Sequence, residues 1–112
     1  MSTTDIGNRG ENIASVFLTQ NGYKIIEQNW KTRWCEIDII AKKSGVVYFV
    51  EVKYRKSSDY GDGFSYITPK KLRQMRFAAE LWLHKNNYDG DCSLAAVSVD
   101  ADGAEVTFLD SL

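Results

Sequence analysis

Two acidic residues and a lysine are spaced in a way that suits chemistry on phosphate: Asp38 within Glu36-Ile37-Asp38-Ile39, and Glu51-Val52-Lys53 further along. Both lie in strand-like segments, Cys35 to Lys43 and Val46 to Arg55, rich in Ile, Val and Tyr and separated by Ser44-Gly45, the composition of a two-residue hairpin. Such a loop pairs Lys43 with Val46, so opposed residues have numbers that sum to 89. Asp38 then falls opposite Glu51, and Glu36 opposite Lys53, with all four on one side because strand side chains alternate. On the other side, Ile37, Ile39 and Ala41 meet Tyr48, Val50, Val52 and Tyr54, a face expected to be core. A three-residue loop would set Asp38 against Val50 and mix charge with core on both faces, so burial disfavours it.

Directly opposed strand residues have Cβ atoms about 4.5–5.5 Å apart. Two ionised carboxylates at that spacing repel unless a cation lies between them. Mg²⁺ or Mn²⁺ takes hard oxygen ligands and keeps waters and phosphate oxygens in its shell. The expected metal ligands are therefore Asp38, Glu51 and the backbone carbonyl of Val52, with Lys53 placed to orient a water or stabilise a phosphate. Phosphodiester hydrolysis needs an activated water, charge neutralisation and help for the leaving oxygen, and this set covers the first two. Glu-Val-Lys in a strand is also plain alternation of solvent-facing charge. A surface built for ion pairs would set opposite charges face to face, whereas this register opposes two acids.

The elements that must position these residues can be traced along the chain. Ile13, Ala14, Val16 and Phe17 recur at helical spacing and Asn21-Gly22 supplies a stop, which predicts a first helix beginning between Thr4 and Arg9 and ending near Gln20. Tyr23 to Asn29 reads as a short strand with Tyr23, Ile25 and Glu27 on one face. Lys56 to Ile67 carries turn signals at Asp59, Gly61 and Asp62-Gly63 between Tyr60, Phe64 and Tyr66, and is expected to be an ordered loop. Thr68-Pro69 supplies an N-cap and a first-turn proline. The stripe Leu72, Met75, Ala79 and Trp82, widened by Ala78 and Leu81, predicts a second helix to about Asn86. Ser93 to Val99 and Glu105 to Leu109 close the chain as strands around Asp102-Gly103. The predicted order is αβββαββ, an α/β fold with a central mixed sheet flanked by helices in one domain, residues 1–112.

Apolar residues form 44% and charged residues 26% of the chain, with one proline and no long apolar run, which excludes disordered and membrane-spanning classes. The N-terminus lacks the basic flank and apolar stretch of an export signal, so a cytoplasmic location is expected. Cys35 and Cys92 have no CxxC spacing and His84 stands alone, which argues against zinc and is compatible with free thiols. Net charge is −1, but the window from Lys31 to Arg76 carries a local +6 and the remainder −7. That asymmetry has two readings, a nucleic-acid footprint or scatter on a solvated surface.

The segments Arg9-Gly10-Glu11, Glu36-Ile37-Asp38-Ile39-Ile40-Ala41, Tyr48-Phe49-Val50-Glu51-Val52-Lys53-Tyr54-Arg55 and Thr68-Pro69-Lys70-Lys71 together resemble the YraN-like family of predicted endonucleases. That family is related to archaeal Holliday-junction resolvases and to the PD-(D/E)xK superfamily, and the resemblance spans about Gly7 to Val99. It implies a restriction-endonuclease-like core in which Glu11, Asp38, Glu51 and Lys53 match the catalytic set and Lys71 matches a basic residue at the start of the second helix. It further implies Mg²⁺ or Mn²⁺ as cofactor, DNA rather than RNA as partner, and a homodimer where resolvases are the model. Cys35 replaces the usual glycine before Glu-Ile-Asp, Ile37 replaces the proline of the superfamily name, and Asp91-Cys92-Ser93 stands where Arg-Phe-Asp is usual.

Glu11 has a second reading, because Asn8 followed by Glu11 is a capping-box pattern. Candidate phosphate contacts are Arg9, Lys31, Arg33, Arg55, Lys70, Lys71 and Arg73, although a charged helix face is also commonly just solvated. Trp30 and Trp34 are read either as core or edge packing or as stacking platforms for bases. The expected function is a metal-dependent nuclease. The alternatives are a nucleic-acid-binding module of the same fold without turnover and a protein-interaction domain using an open sheet edge.

Overall fold

The computed structural model describes residues 3–55, 63–100 and 105–112, with side chains from Gly10 onward in the first helix. Its elements are α1 (Thr3–Gln20), β1 (Lys24–Lys31), β2 (Glu36–Lys43), β3 (Val46–Arg55), α2 (Pro69–Lys85), β4 (Asp91–Asp100) and β5 (Val106–Leu109). The αβββαββ order is that read from the sequence. Most of the loop expected at Lys56 to Ile67, and the turn at Asp102-Gly103, lie outside the described residues.

The strands form one mixed sheet in the order β1-β2-β3-β4-β5. Only β3 and β4 run parallel, which α2 makes possible as the crossover between them. Ser44 and Gly45 both have positive φ, 52° and 79°, the backbone of a type I′ hairpin turn whose twist matches the strands. That turn fixes the register: Lys43 pairs with Val46 and the ladder continues to Ile39 with Val50, as the summed numbering requires.

The helices cover opposite faces. On one, Ala14 and Leu18 of α1 pack with Ile39, Ala41, Val50, Ala95, Val97 and Val99. On the other, Ala78, Ala79 and Trp82 of α2 pack with Ile37, Ile40, Val47 and Phe49. Small residues on the helices let both ride close to a sheet of branched side chains, where burial of apolar surface contributes most of the stability.

Two strand faces differ from the alternation expected. Ile37 joins Ile40 in the α2-side cluster, whereas Ile39 and Ala41 lie on the α1 side; alternation therefore breaks at Asp38. In β1 a bulge between Ile25 and Glu27 shifts the register, so Tyr23 and Ile25 face the α1-side cluster while the Glu27 carboxylate accepts a 2.9 Å bond from the Trp82 indole N–H of α2. A bulge inserts one residue and thereby swaps the faces that follow.

Helix α1 passes β3 at Gly10, where an added Cβ would stand 2.8 Å from Cδ2 of Tyr54. Gly10→Ala is expected to lower the melting temperature, because overpacking of about 1–3 kcal/mol outweighs a helix-propensity gain of about 1 kcal/mol. A rise in melting temperature on thermal unfolding would contradict this close approach.

Candidate metal and nucleic-acid site

Asp38 occupies the point where the sheet forks. The β2–β3 ladder ends at Ile39 and Val50, yet β2 continues along β1 as far as Glu36 with Lys31 and β3 along β4 as far as Arg55 with Asp100. In the gap, the Asp38 carboxylate Oδ2 accepts a 2.8 Å hydrogen bond from the Val52 backbone N–H. A side chain thus satisfies a strand donor whose ladder has stopped, and holds one acid of the site against the strand that carries the other.

Burial pushes the Asp38 carboxyl up to about 7, and the neighbouring charge of Glu51 pushes in the same direction, with smaller contributions from Glu11 and Glu36; the Val52 N–H opposes them. Burial and like charge both penalise the ionised form. The ladder stops one position short of the inferred Asp38–Glu51 pair and does not reach Glu36–Lys53; Asp38 bonds Val52 instead, and Glu51 acts on it through its charge. Glu11 reaches it from α1. Since α1 starts at Thr3, Asn8 and Glu11 lie inside the helix, and the capping-box reading of Glu11 is overturned.

The cations are arranged differently from expectation. Lys71 Nζ lies 2.8 Å from the Glu51 carboxylate, whereas Lys53 is exposed with Nζ 5.6 Å from the Tyr66 ring centroid. Among the described residues, Lys53 forms no ion pair with Asp38 or Glu51. Lys71 reaches Glu51 because Thr68 caps α2, its hydroxyl accepting from the Lys71 N–H at 3.1 Å, and Pro69 occupies the first turn. That first turn holds no acid, so two lysines stand at the positive end of the helix dipole, an arrangement that attracts anions.

Tyr66 shares the electrostatic surroundings of Asp38 and Glu51, a placement that the sequence pattern did not single out. Its hydroxyl is buried and has no hydrogen-bond partner among the described residues, and its pKa is raised by burial and then by the charges of Glu51 and Asp38. Bonds from Ile67 N–H to Phe64 and from Thr68 N–H to Tyr66 close this turn onto the cap of α2, and Gly63 packs its backbone against Ser98. The one local signal for this placement is a tyrosine two residues before the N-cap Thr68, within a segment rich in turn residues.

The donor set fits a divalent cation in one respect and is thin in another. A buried carboxylate held up to about 7 near a second acid, with a buried hydroxyl close by that has no hydrogen-bond partner among the described residues, is a pocket short of positive charge and of one oxygen-bonding partner. Against this, no group of three His, Cys, Asp or Glu side chains converges as a metal site among the described residues. Asp38 and Glu51 are the side chains that would hold a cation, and Lys71 would have to release Glu51.

Beside the acids runs a groove of about 620 Å³ lined by Trp34, Glu51, Lys70, Lys71, Arg73 and Phe77, among others. It gathers three of the cations proposed from sequence. Lys31 instead pairs with Glu36 at 3.7 Å, the Arg33 guanidinium lies 5.2 Å from the Trp34 ring centroid, Arg55 ends β3, and the Arg9 side chain lies outside the described residues. Trp30 packs against the α2-side core, as the packing reading expects, whereas Trp34 is 66% exposed. Cys35 and Cys92 carry free thiols, and among the described residues no helix is long and apolar enough to cross a membrane.

The sequence matches the model of the uncharacterised protein family UPF0102 over residues 10–101. A UPF0102 protein of Vibrio vulnificus is 37% identical over 108 residues, covering 93% of this chain and 88% of that protein. One from Cytophaga hutchinsonii is 38% identical over 104 residues, covering 93% and 92%, and one from Neisseria meningitidis is 37% identical over 95 residues, covering 84% and 83%. The chain belongs to the UPF0102, YraN-like family. The matched span includes Glu11, Asp38, Glu51, Lys53, Tyr66 and Lys71.

Asp38 binds a proton in the folded protein up to about pH 7, whereas an unfolded aspartate releases it near 3.9. Between those values the folded state holds more protons, so this residue makes stability fall as pH rises from about 4 to about 7 and leaves the full cost in place above. Asp38→Asn is expected to be more stable than wild type at pH 8, by at most about 4 kcal/mol, and to match it near pH 4. Chemical denaturation at both pH values reads this; a variant less stable at pH 8 contradicts the site.

Proposed function

We propose that this chain is a metal-dependent nuclease with a restriction-endonuclease-like core, hydrolysing phosphodiester bonds in DNA. The observation that carries the reading is the fork-bound Asp38, buried beside Glu51 and near Tyr66, whose hydroxyl has no hydrogen-bond partner among the described residues, next to the cationic start of α2. Asp38 and Glu51 would hold Mg²⁺ or Mn²⁺, with the Val52 carbonyl as a further ligand, and the cation would supply phosphate neutralisation and a more acidic water. Lys71 and the α2 N-terminus draw the phosphate in. The Tyr66 hydroxyl donates to an oxygen in the site, and Glu11 keeps the site negative from the α1 side. Lys53, in the Glu-x-Lys position, approaches the phosphate from over Tyr66.

A non-catalytic nucleic-acid-binding module is the second reading, favoured by the Lys71–Glu51 ion pair, which ties up one of two metal ligands. The two readings separate on the cation. Calorimetric titration with Mn²⁺ should give a heat for wild type that Asp38→Ala abolishes, with affinity about tenfold weaker at pH 6 than at pH 8 because Asp38 must lose its proton. Branched, flapped, single-stranded and duplex substrates incubated with Mn²⁺ should be cleaved at least about a hundredfold more slowly by Asp38→Ala. Binding without cleavage, unchanged by Asp38→Ala, would select the second reading.

A further inference from the structure

The groove beside the acids ends in two aromatic side chains that the fold leaves in water. Trp34 is 66% exposed and Phe77 51%, and both line the groove that holds Lys70, Lys71, Arg73 and Glu51. Phe77 lies four residues beyond Arg73 and seven beyond Lys70 on α2, so ring and cations share one face of the helix, off the buried stripe of Met75, Ala78, Ala79 and Trp82. A ring outside the stripe with half its surface in water carries a cost of hydrating apolar surface that the core does not require.

Trp34 does not owe its exposure to a loose turn. The Thr32 hydroxyl accepts from the backbone N–H groups of Trp34 and Cys35 at 3.1 and 3.2 Å, and the Thr32 N–H donates to the Cys35 carbonyl at 2.9 Å. The backbone under the indole is thus fixed, and the Arg33 guanidinium lies close to its ring. The two acids of the groove are neutralised in place, Glu51 by Lys71 and Glu36 by Lys31, which leaves Lys70, Arg73 and Arg33 as net positive charge around an aromatic floor.

We propose that Trp34 and Phe77 form a stacking site for unpaired nucleobases, with Lys70 and Arg73 holding the adjoining phosphates, so that the strand led to Asp38 and Glu51 is single-stranded. This rests on the nucleic-acid reading above and names its substrate class. Paired bases in a duplex keep their faces stacked on one another, so only an unpaired base offers a face to these rings, and such stacking tolerates any sequence.

Fluorescence anisotropy of a short labelled oligothymidine and of a duplex of equal length, at low salt and in EDTA, tests it without any metal. Trp34→Ala and Phe77→Ala should each weaken single-strand binding about tenfold or more and duplex binding less than about threefold, while Trp34→Phe, which keeps a ring, retains most of the affinity. Equal losses on both probes, no loss on either, or a change in the mass of the free protein in place of a change in affinity would overturn the proposal; the last would make the face a contact between copies. Because no cation is present, Trp34-dependent single-strand binding in a protein that never cleaves supports this site and rejects turnover. Cleavage that is indifferent to Trp34→Ala and Phe77→Ala does the reverse.

Discussion

The hydrogen bond from the Val52 N–H to the Asp38 carboxylate is the contact on which the candidate site depends. Two adjacent strands pair in register from the hairpin turn and then part, each following its outer neighbour. A parting of strands strands backbone donors, and a buried unsatisfied donor costs about 1–3 kcal/mol. Asp38 removes that cost with a side chain short enough to stay in the fork. Its carboxylate is thereby held in a place where water is scarce and a second acid is near.

Everything around the fork acts on that buried charge. Charges from separate parts of the chain act on Asp38, Glu51 on β3 most strongly and then Glu11 on α1 and Glu36 on β2, while Tyr66 ahead of α2 is acted on by Glu51 and Asp38. The core on both faces fixes their approach, through Gly10 at Tyr54 on the α1 side and through the docking of Phe49 on Trp82 on the α2 side, with ring centroids 5.5 Å apart. Lys71 supplies in the free protein the positive charge that the acids require. In the proposed reaction, substrate and cation together would take over what one ammonium does at rest, and the released ammonium would stay at the mouth of the groove beside the phosphate.

The hairpin was legible because its constraints are local. Ser44-Gly45 selects the type I′ turn, the turn fixes the register, and the strand from Val46 to Arg55 has the bounds read from its composition. The second helix was equally plain from its cap, its proline and its apolar stripe. The failures share one cause. Strict alternation predicts the faces of Ile37 and Glu27 only while a strand stays regular, and it breaks at the fork beside Asp38 and at the bulge between Ile25 and Glu27.

Sequence by itself determined the element order, the hairpin register from Lys43–Val46 to Ile39–Val50, and membership of the family, because these follow from turn chemistry, periodicity and residue identity. Only the tertiary structure decided that Lys71 rather than Lys53 contacts Glu51, that the Tyr66 hydroxyl is buried, and that Trp34 is exposed while Trp30 is packed. The first set is written in neighbours along the chain. The second depends on side chains brought together by a crossover helix that lands its N-terminus beside the fork, and no local pattern encodes where that helix lands.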